Sequence, residues 1–386
     1  MAKFIAVALC VVLVSGVSLA AIVYGSLNNN VQARQFVLPD KKSDIPTIGA
    51  YSGAVNLLLV GDDTRTGQKG HYGSDPGSAL NDVNILLHIS DDHTKAYVVS
   101  FPRDTYVSVP ACTDPKNPGQ MLQPESNVKL NSILSYGGIG CIRDTIANLS
   151  GIKIPYVAMI TFDGVVEMSN AVGGVPVCVA SPINDDYTEL HLTKGEHTLQ
   201  GATALKFLRT RHGVGDGSDL TRISSQQVFL SSLVRKLKQR STLTDLTKLY
   251  GIASTASTSM TLSSSIANVD TMVSIGRALA PIDLDKVVFV QYPTAVQGDG
   301  VVPNTDAADT LMQAIKQDKT LKLSNAPKGD AVGSTADSST SPSGSTSPSP
   351  SPSSSGKSST VTLPSGVLGQ PASESSCSVG NALGRR

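Results

Sequence analysis

Three short apolar runs, each beginning or ending in charged side chains, set the strongest limit on how this chain can fold. Val55–Val60 (VNLLLV) runs into Gly-Asp-Asp, Asn84–Ile89 (NILLHI) follows Asn81-Asp82, and Ala96–Phe101 (AYVVSF) runs into Pro-Arg-Asp. Near-continuous hydrophobicity over about six residues suits strands covered on both faces. Such strands need helices on either side, and helical patterns occur at 131–136, 161–171 and 200–207. A longer pattern covers Ile223–Lys238, with Asp219 or Ser218 placed to cap its start. Val287–Val290 (VVFV) reads as a late strand and Asp306–Ile315 as a last helix. The expectation is an α/β domain over residues 51–323, with α-β-α layers and a central mixed sheet flanked by helices.

The flanks differ from that domain. Phe4–Tyr24 holds no charged residue. As a helix, at about 1.5 Å per residue, it spans roughly 30 Å, the hydrocarbon thickness of a bilayer. Lys3 makes residues 1–3 a cytoplasmic stub and sends the rest to the extracytoplasmic side. A cleaved leader ending near Ser18-Leu19-Ala20 is the competing reading, and the length of the run favours a retained signal-anchor. Residues 25–50 read as a spacer. In the tail at 324–386, SSTSPSGSTSPSPSPSSSGKSST cannot bury enough apolar surface to offset its chain entropy, so the tail is expected to be disordered. Gly-Lys-Ser at 356–358 lacks the upstream glycine and strand that a phosphate loop requires.

Lys and Arg number 31 against 31 Asp and Glu, so the chain has no general basic footprint for nucleic acid. Export permits disulfides. Cys112 and Cys141 flank a segment rich in Pro, Gly and Asn, where a bridge contributes about 3 kcal/mol in the chain-entropy account. Cys178 and Cys377 are left over, and the sequence leaves their pairing open. The six histidines are scattered, with no Cys-x-x-Cys or His-Glu-x-x-His, which disfavours zinc.

Polar clusters adjoin the three strands: Asp62, Asp63 and Arg65; Asn81 and Asp82; Arg103 and Asp104. Ligand sites in α/β sheets collect at strand ends. Carboxylates there suit a hard divalent cation, and planar guanidinium groups suit phosphate. The stretch Leu208–Gln227 (LRTRHGVGDGSDLTRISSQQ) adds Arg209 and Arg211, which share one face if the backbone is extended. Two cations gathered so closely are favourable only around an anion. Arg222 and Gln226 share a face of the following helix, whose N-terminus after a glycine-rich turn supplies further donors. Arg222 also stands three residues after Asp219 and reads as its structural partner. Together these residues suit a diphosphate with a bound metal, the alternative being a solvated basic loop with ion pairs at the strand ends.

NLLLVGDDTR, NDVNILLH, SFPRDTYV, KLNSILSYGG, ITFDGVVEMSNAVGGVPVCV and the Arg-x-Arg…Asp-x-x-Arg…Gln block occur in that order. In this order they resemble the LytR-CpsA-Psr family of membrane-anchored bacterial cell-wall glycopolymer ligases, over about Val55 to Leu323. The cysteine pair and the Ser/Pro-rich tail resemble actinobacterial members. The resemblance implies transfer of a glycan, with one phosphate, from a polyprenyl-diphosphate lipid to a peptidoglycan sugar. The glycan would be arabinogalactan, teichoic acid or a capsular polymer. By motif, Asp63 and Asp82 would hold magnesium, or manganese in its place. Arg103, Arg209 and Arg211 would bind the diphosphate, with Gln226 assisting. Asp63 or Asp82 would also help deprotonate the acceptor, and an apolar tunnel would take the lipid tail. The anchor would keep the site beside the membrane lipid. Hydrolysis of the same diphosphate, or a non-catalytic scaffold that binds lipid-linked glycan, uses the same residues. Two positions depart from the pattern: Leu80 and Ser225 stand where many members are basic.

Overall fold

The computed structural model describes residues 35–38, 53–70, 72–73, 77, 79–117, 119–239, 242–323, 332–334 and 360–381. The run 4–24 lies outside them. Among the described residues no helix is long and apolar enough to cross a membrane.

Twelve strands form the two principal sheets. They are β1 (Gln35–Phe36), β2 (Val55–Asp62), β3 (Asn81–Ile89), β4 (Ala96–Ser100), β5 (Tyr156–Ile160) and β6 (Val175–Ser181), followed by β7 (Gly195–Leu199), β8 (Met260–Ser263), β9 (Val287–Gln291), β10 (Val332–Ser334), β11 (Gly369–Pro371) and β12 (Ser376–Val379). The central sheet runs β1-β8-β5-β2-β3-β4-β9-β11, and the second runs β7-β6-β12-β10. The central sheet is mixed, as expected: β2 pairs antiparallel with β3 and parallel with β5. The helices are α1 (Ile133–Ser150), α2 (Phe162–Ala171), α3 (Ala202–Arg209), α4 (Asp219–Gln239), α5 (Leu246–Ser259), α6 (Val269–Leu279) and α7 (Thr305–Lys316).

Alternate side chains of the sheet enter two cores. Leu58, Val60, Leu86 and Val99 pack with Ile142 and Ile146 of α1 and Leu311 and Ile315 of α7. Val55, Ile85, Ile89 and Phe289 pack on the other face with Leu249 of α5 and Val273 of α6. A third cluster joins Val175, Val177 and Val179 of β6 to Phe207 of α3 and Val228 and Phe229 of α4. The Ile133–Ser150 helix is kinked at Gly138, whose φ of 67° is open to glycine but strained for other residues. Cys112 and Cys141 form the expected bridge, with Cα atoms 5.4 Å apart.

Two expectations need correction. The spacer at 25–50 is not wholly outside the domain: Gln35–Phe36 pairs parallel with β8, and Leu38 is buried in the first core. The folded part does not stop at Leu323, nor is the tail disordered throughout. Residues 360–381 return to the body, where β11 closes one edge of the central sheet and β12 pairs with β6. Cys377 lies opposite Cys178 in that pairing and is bridged to it. The physical reason is local. Leu363, Val367, Ala372 and Cys377 are buried, although the serines and prolines upstream dominate the average composition of the tail.

Candidate functional site

The carboxyl-terminal end of β2 carries a register shift between Gly61 and Asp62. Such a bulge re-aims side chains at the end of a strand. Asp62 turns back on its own loop, accepting the Thr64 amide at 2.8 Å and the Thr64 hydroxyl at 2.6 Å. Asp63 points to the neighbouring strand, where one oxygen accepts the Leu80 N–H at 2.8 Å. Burial raises the Asp63 pKa above the ordinary carboxylate value. The Leu80 amide and Arg65 oppose that rise, and the charges of Asp82 and Asp62 add to it.

Asp82, on β3, is bound by arginines. Arg103 Nη1 meets its Oδ1 at 2.6 Å, Arg222 Nη1 lies 3.7 Å from its Oδ2, and Arg222 Nη2 donates to its backbone carbonyl at 3.1 Å. Arg222 also pairs with Asp219 one turn earlier at 2.5 Å, as the spacing implied. Ser218 caps the α4 helix by accepting the Thr221 amide at 3.3 Å.

The arginine stretch is not extended throughout. Arg209 ends α3, and Thr210 turns the chain at φ −59°, ψ 132°. The helical pattern of 200–207 simply continues two residues further than the sequence indicated. Arg209 and Arg211 nevertheless line the same cavity. The Arg209 guanidinium lies 4.2 Å from the centroid of the Phe162 ring. Its pKa is lowered, first by burial and then by the cation of Arg65. Among the described residues neither Arg209 nor Arg211 forms an ion pair. Gln226 is buried, and its amide donates to the Leu208 carbonyl at 2.9 Å, bracing the end of α3.

All six candidate residues, Asp63, Asp82, Arg103, Arg209, Arg211 and Gln226, line one cavity of about 560 Å³. Its interior is apolar, with Leu59, Ile85, Val165, Val175, Leu230 and Leu233 among the lining residues. Sequence reasoning missed Phe162, whose ring lies against Arg209, and also Asp185 and Tyr187, which share the lining. Phe162 stood in a quoted motif with no physical signal of its contact. The other two reach the site by tertiary packing alone.

Ser225 is fully buried and faces away from this chemistry. Its hydroxyl lies 2.8 Å from that of Ser378 on β12. Leu80 contributes its backbone, through the amide bound to Asp63.

Among the described residues no group of three or more His, Cys, Asp or Glu side chains forms a metal cage. Asp63 is a buried carboxylate whose nearest like charges are Asp82 and Asp62, and a cation would relieve that repulsion. A pair of carboxylates completed by phosphate oxygens of a ligand is a donor set that magnesium favours. Asp63 thus has the donor chemistry a hard cation takes, while Asp82 is already paired with Arg103 and Arg222.

The profile of the LytR_cpsA_psr family matches residues 21–328. The chain is 28% identical over 275 residues to "Cell wall biosynthesis protein LcpA" of Corynebacterium glutamicum, a match covering 65% of this chain and 52% of that protein. It therefore spans about half the length of that relative. It is 26% identical over 250 residues to "Polyisoprenyl-teichoic acid--peptidoglycan teichoic acid transferase TagT" of Bacillus subtilis, covering 62% of this chain and 71% of that one. Of solved structures, one titled "TagT bound to LIIa-WTA" superposes with a TM-score of 0.53 at 20% identity, covering 73% of this chain and 98% of that one. Protein gbs0355 of Streptococcus agalactiae gives 0.52 at 23%, covering 69% and 87%. At such identities the likeness is one of fold.

Proposed function

The chain belongs to the LytR_cpsA_psr family, and from that premise we propose that it is a phosphotransferase that moves a glycopolymer from a polyprenyl-diphosphate carrier to peptidoglycan through a phosphodiester bond. The observation that carries this reading is that Arg103, Arg209, Arg211, Asp63 and Asp82 line one cavity together with many apolar side chains. A ligand with an anionic head and a hydrocarbon tail suits both parts. In the proposed reaction an acceptor hydroxyl oxygen attacks the glycan-bearing phosphorus. The phosphoanhydride bond breaks, and polyprenyl phosphate leaves with the electron pair. Arg103, Arg209 and Arg211 balance the charge on the diphosphate oxygens, the main electrostatic aid for phosphoryl transfer. Asp63 and Asp82 would hold magnesium or manganese, which when bound neutralises the same oxygens. The hydroxyl proton passes to a neighbouring carboxylate, Asp63 or Asp82. A membrane anchor at residues 4–24 would hold the site beside the lipid donor, on the extracytoplasmic side.

The test is a radiolabelled lipid-linked glycan incubated with and without peptidoglycan. Label joined to peptidoglycan, with polyprenyl phosphate released only when acceptor is present, is the expected result. Equal release without acceptor and no attachment would make the protein a hydrolase. Binding with neither release nor attachment would make it a scaffold.

A further inference from the structure

One feature of the cavity rim has no part in that chemistry. Tyr187 is 76% exposed, yet it lines the cavity. Its ring lies 4.4 Å from that of His212, centroid to centroid, at an interplanar angle of 32°. The pair is held by a buried carboxylate. Asp185, 2% exposed, accepts the amides of Tyr187 at 3.0 Å and Thr188 at 3.4 Å through Oδ1. Its Oδ2 accepts the Thr210 hydroxyl at 2.5 Å. One side chain thus ties the turn carrying Tyr187 to the residue between Arg209 and Arg211. Gly213 permits the close approach: a Cβ there would stand 2.8 Å from Thr210 Oγ1 and 2.9 Å from Asp185 Cβ.

We propose that Tyr187 and His212 form a platform for the face of a sugar ring, the sugar joined directly to the diphosphate. The C–H face of a pyranose is apolar, and its hydroxyls project outward from the rim of the ring. An aromatic surface covers that face and leaves the hydroxyls to water. Tyr suits such a place because it offers a large rigid plane with a wet polar tip. His212 follows Arg211 in the chain, which places the platform next to the diphosphate clamp. Asp185 is a positioning residue for both. The inference rests on the function proposed above, and it adds recognition of the first sugar of the donor.

The same chemistry can come from donor or acceptor, so three ligands are titrated against the full chain in detergent: polyprenyl diphosphate, the same lipid bearing one sugar, and a soluble muropeptide. Wild type is expected to bind the glycosylated lipid more tightly than the bare one. Tyr187→Ala should weaken binding of the glycosylated lipid about tenfold and leave the bare lipid unchanged, while Tyr187→Trp keeps the preference. Asp185→Ala should raise the donor KM more than it lowers kcat. Equal loss of both lipids, or no loss of either, overturns the platform. Loss confined to the muropeptide overturns the donor assignment. If wild type binds neither lipid, the parent function fails, and this inference fails with it.

Discussion

The charged lining of the cavity stands on two unlike supports. Asp63 and Asp82 follow or begin neighbouring strands of the central sheet, and Arg103 stands just past the next. Their positions follow from the ladder itself. Arg209 closes α3, and Arg211 and His212 stand in the loop that leads to α4, outside the central sheet. That loop is held by the C-terminal segment, far away in sequence: Gly215 donates to the Val379 carbonyl at 3.1 Å, and Asn381 donates to the carbonyls of Gly213 and His212, each at 2.9 Å. Chemistry and support are therefore separable in the loop half and joined in the sheet half. Variants in the two halves should fail in different ways.

The largest effects come from the arginines. Arg209→Ala with Arg211→Ala should lower turnover by about 10³ or more, with the melting temperature unchanged or raised. Neither side chain holds an ion pair among the described residues, and Arg209 is crowded by Arg65. Arg103→Ala should cost similar turnover but also destabilise the fold by about 1–3 kcal/mol, because Asp82 loses its 2.6 Å partner. Turnover assays beside thermal melts check the contrast. Equal destabilisation by both variants would erase the distinction between the halves.

Asp63→Asn separates function from stability within the sheet half. Turnover should fall by about 10²–10³. The folded-state pKa of Asp63 is raised, so its ionisation costs the folded protein stability. That cost is absent below the pKa of the unfolded carboxylate and complete above the raised one. Without divalent cations, the variant should thus melt higher than wild type at neutral pH, and the gap should close as pH falls through the raised pKa. Added magnesium should raise the melting temperature of wild type and leave that of the variant unmoved. A melt series over pH, with and without the cation, decides it.

The loop half should be weakened from a distance. Replacing Cys178 and Cys377 with serine releases the strap and should cost about 2–5 kcal/mol. The signature is in kinetics: donor KM should rise about tenfold more than kcat falls, since the sheet-borne residues stay in place. Ser225→Arg, which supplies the basic side chain the family resemblance leads one to expect, attacks the same seam from α4. At a fully buried position against Ser378 it should displace the strap and raise KM, rather than strengthen donor binding.

This division also explains what the sequence made legible. β2, β3, β4 and β9 were readable because each is a short apolar run. Asp63, Asp82 and Arg103 were readable because they adjoin such runs. Arg209 and Arg211 stood out as a pair by charge alone, but their support did not. Leu363, Val367, Ala372 and Cys377 are buried but few, and they follow a long Ser/Pro stretch that sets the average. α5 and β8 were hidden in the same way within Ser/Thr-rich sequence, STASTSMTLSSS. Tyr187 gave no signal, because only the folded chain brings it to His212.

The smallest effect tests the seam most directly. Along α4, Ser225 and Ser231 meet Ser378 and Gln370 of the returning segment, at 2.8 Å and 3.3 Å. Small hydroxyl side chains let the helix and the returning segment approach closely while Ser225 and Ser378 pair with each other. Ser225→Ala should cost about 1 kcal/mol, and Ser378→Ala a similar amount, because either leaves one buried hydroxyl unpaired. The double variant should cost no more than either alone, giving a coupling of about 1 kcal/mol in a double-mutant cycle measured by denaturant unfolding. Turnover should be unchanged in all three, since this hydroxyl pair lies outside the cavity lining. Additive costs would mean that the two serines do not act as a pair. The serine at position 225 would then be a loss of charge from the site rather than a gain of contact with the strap.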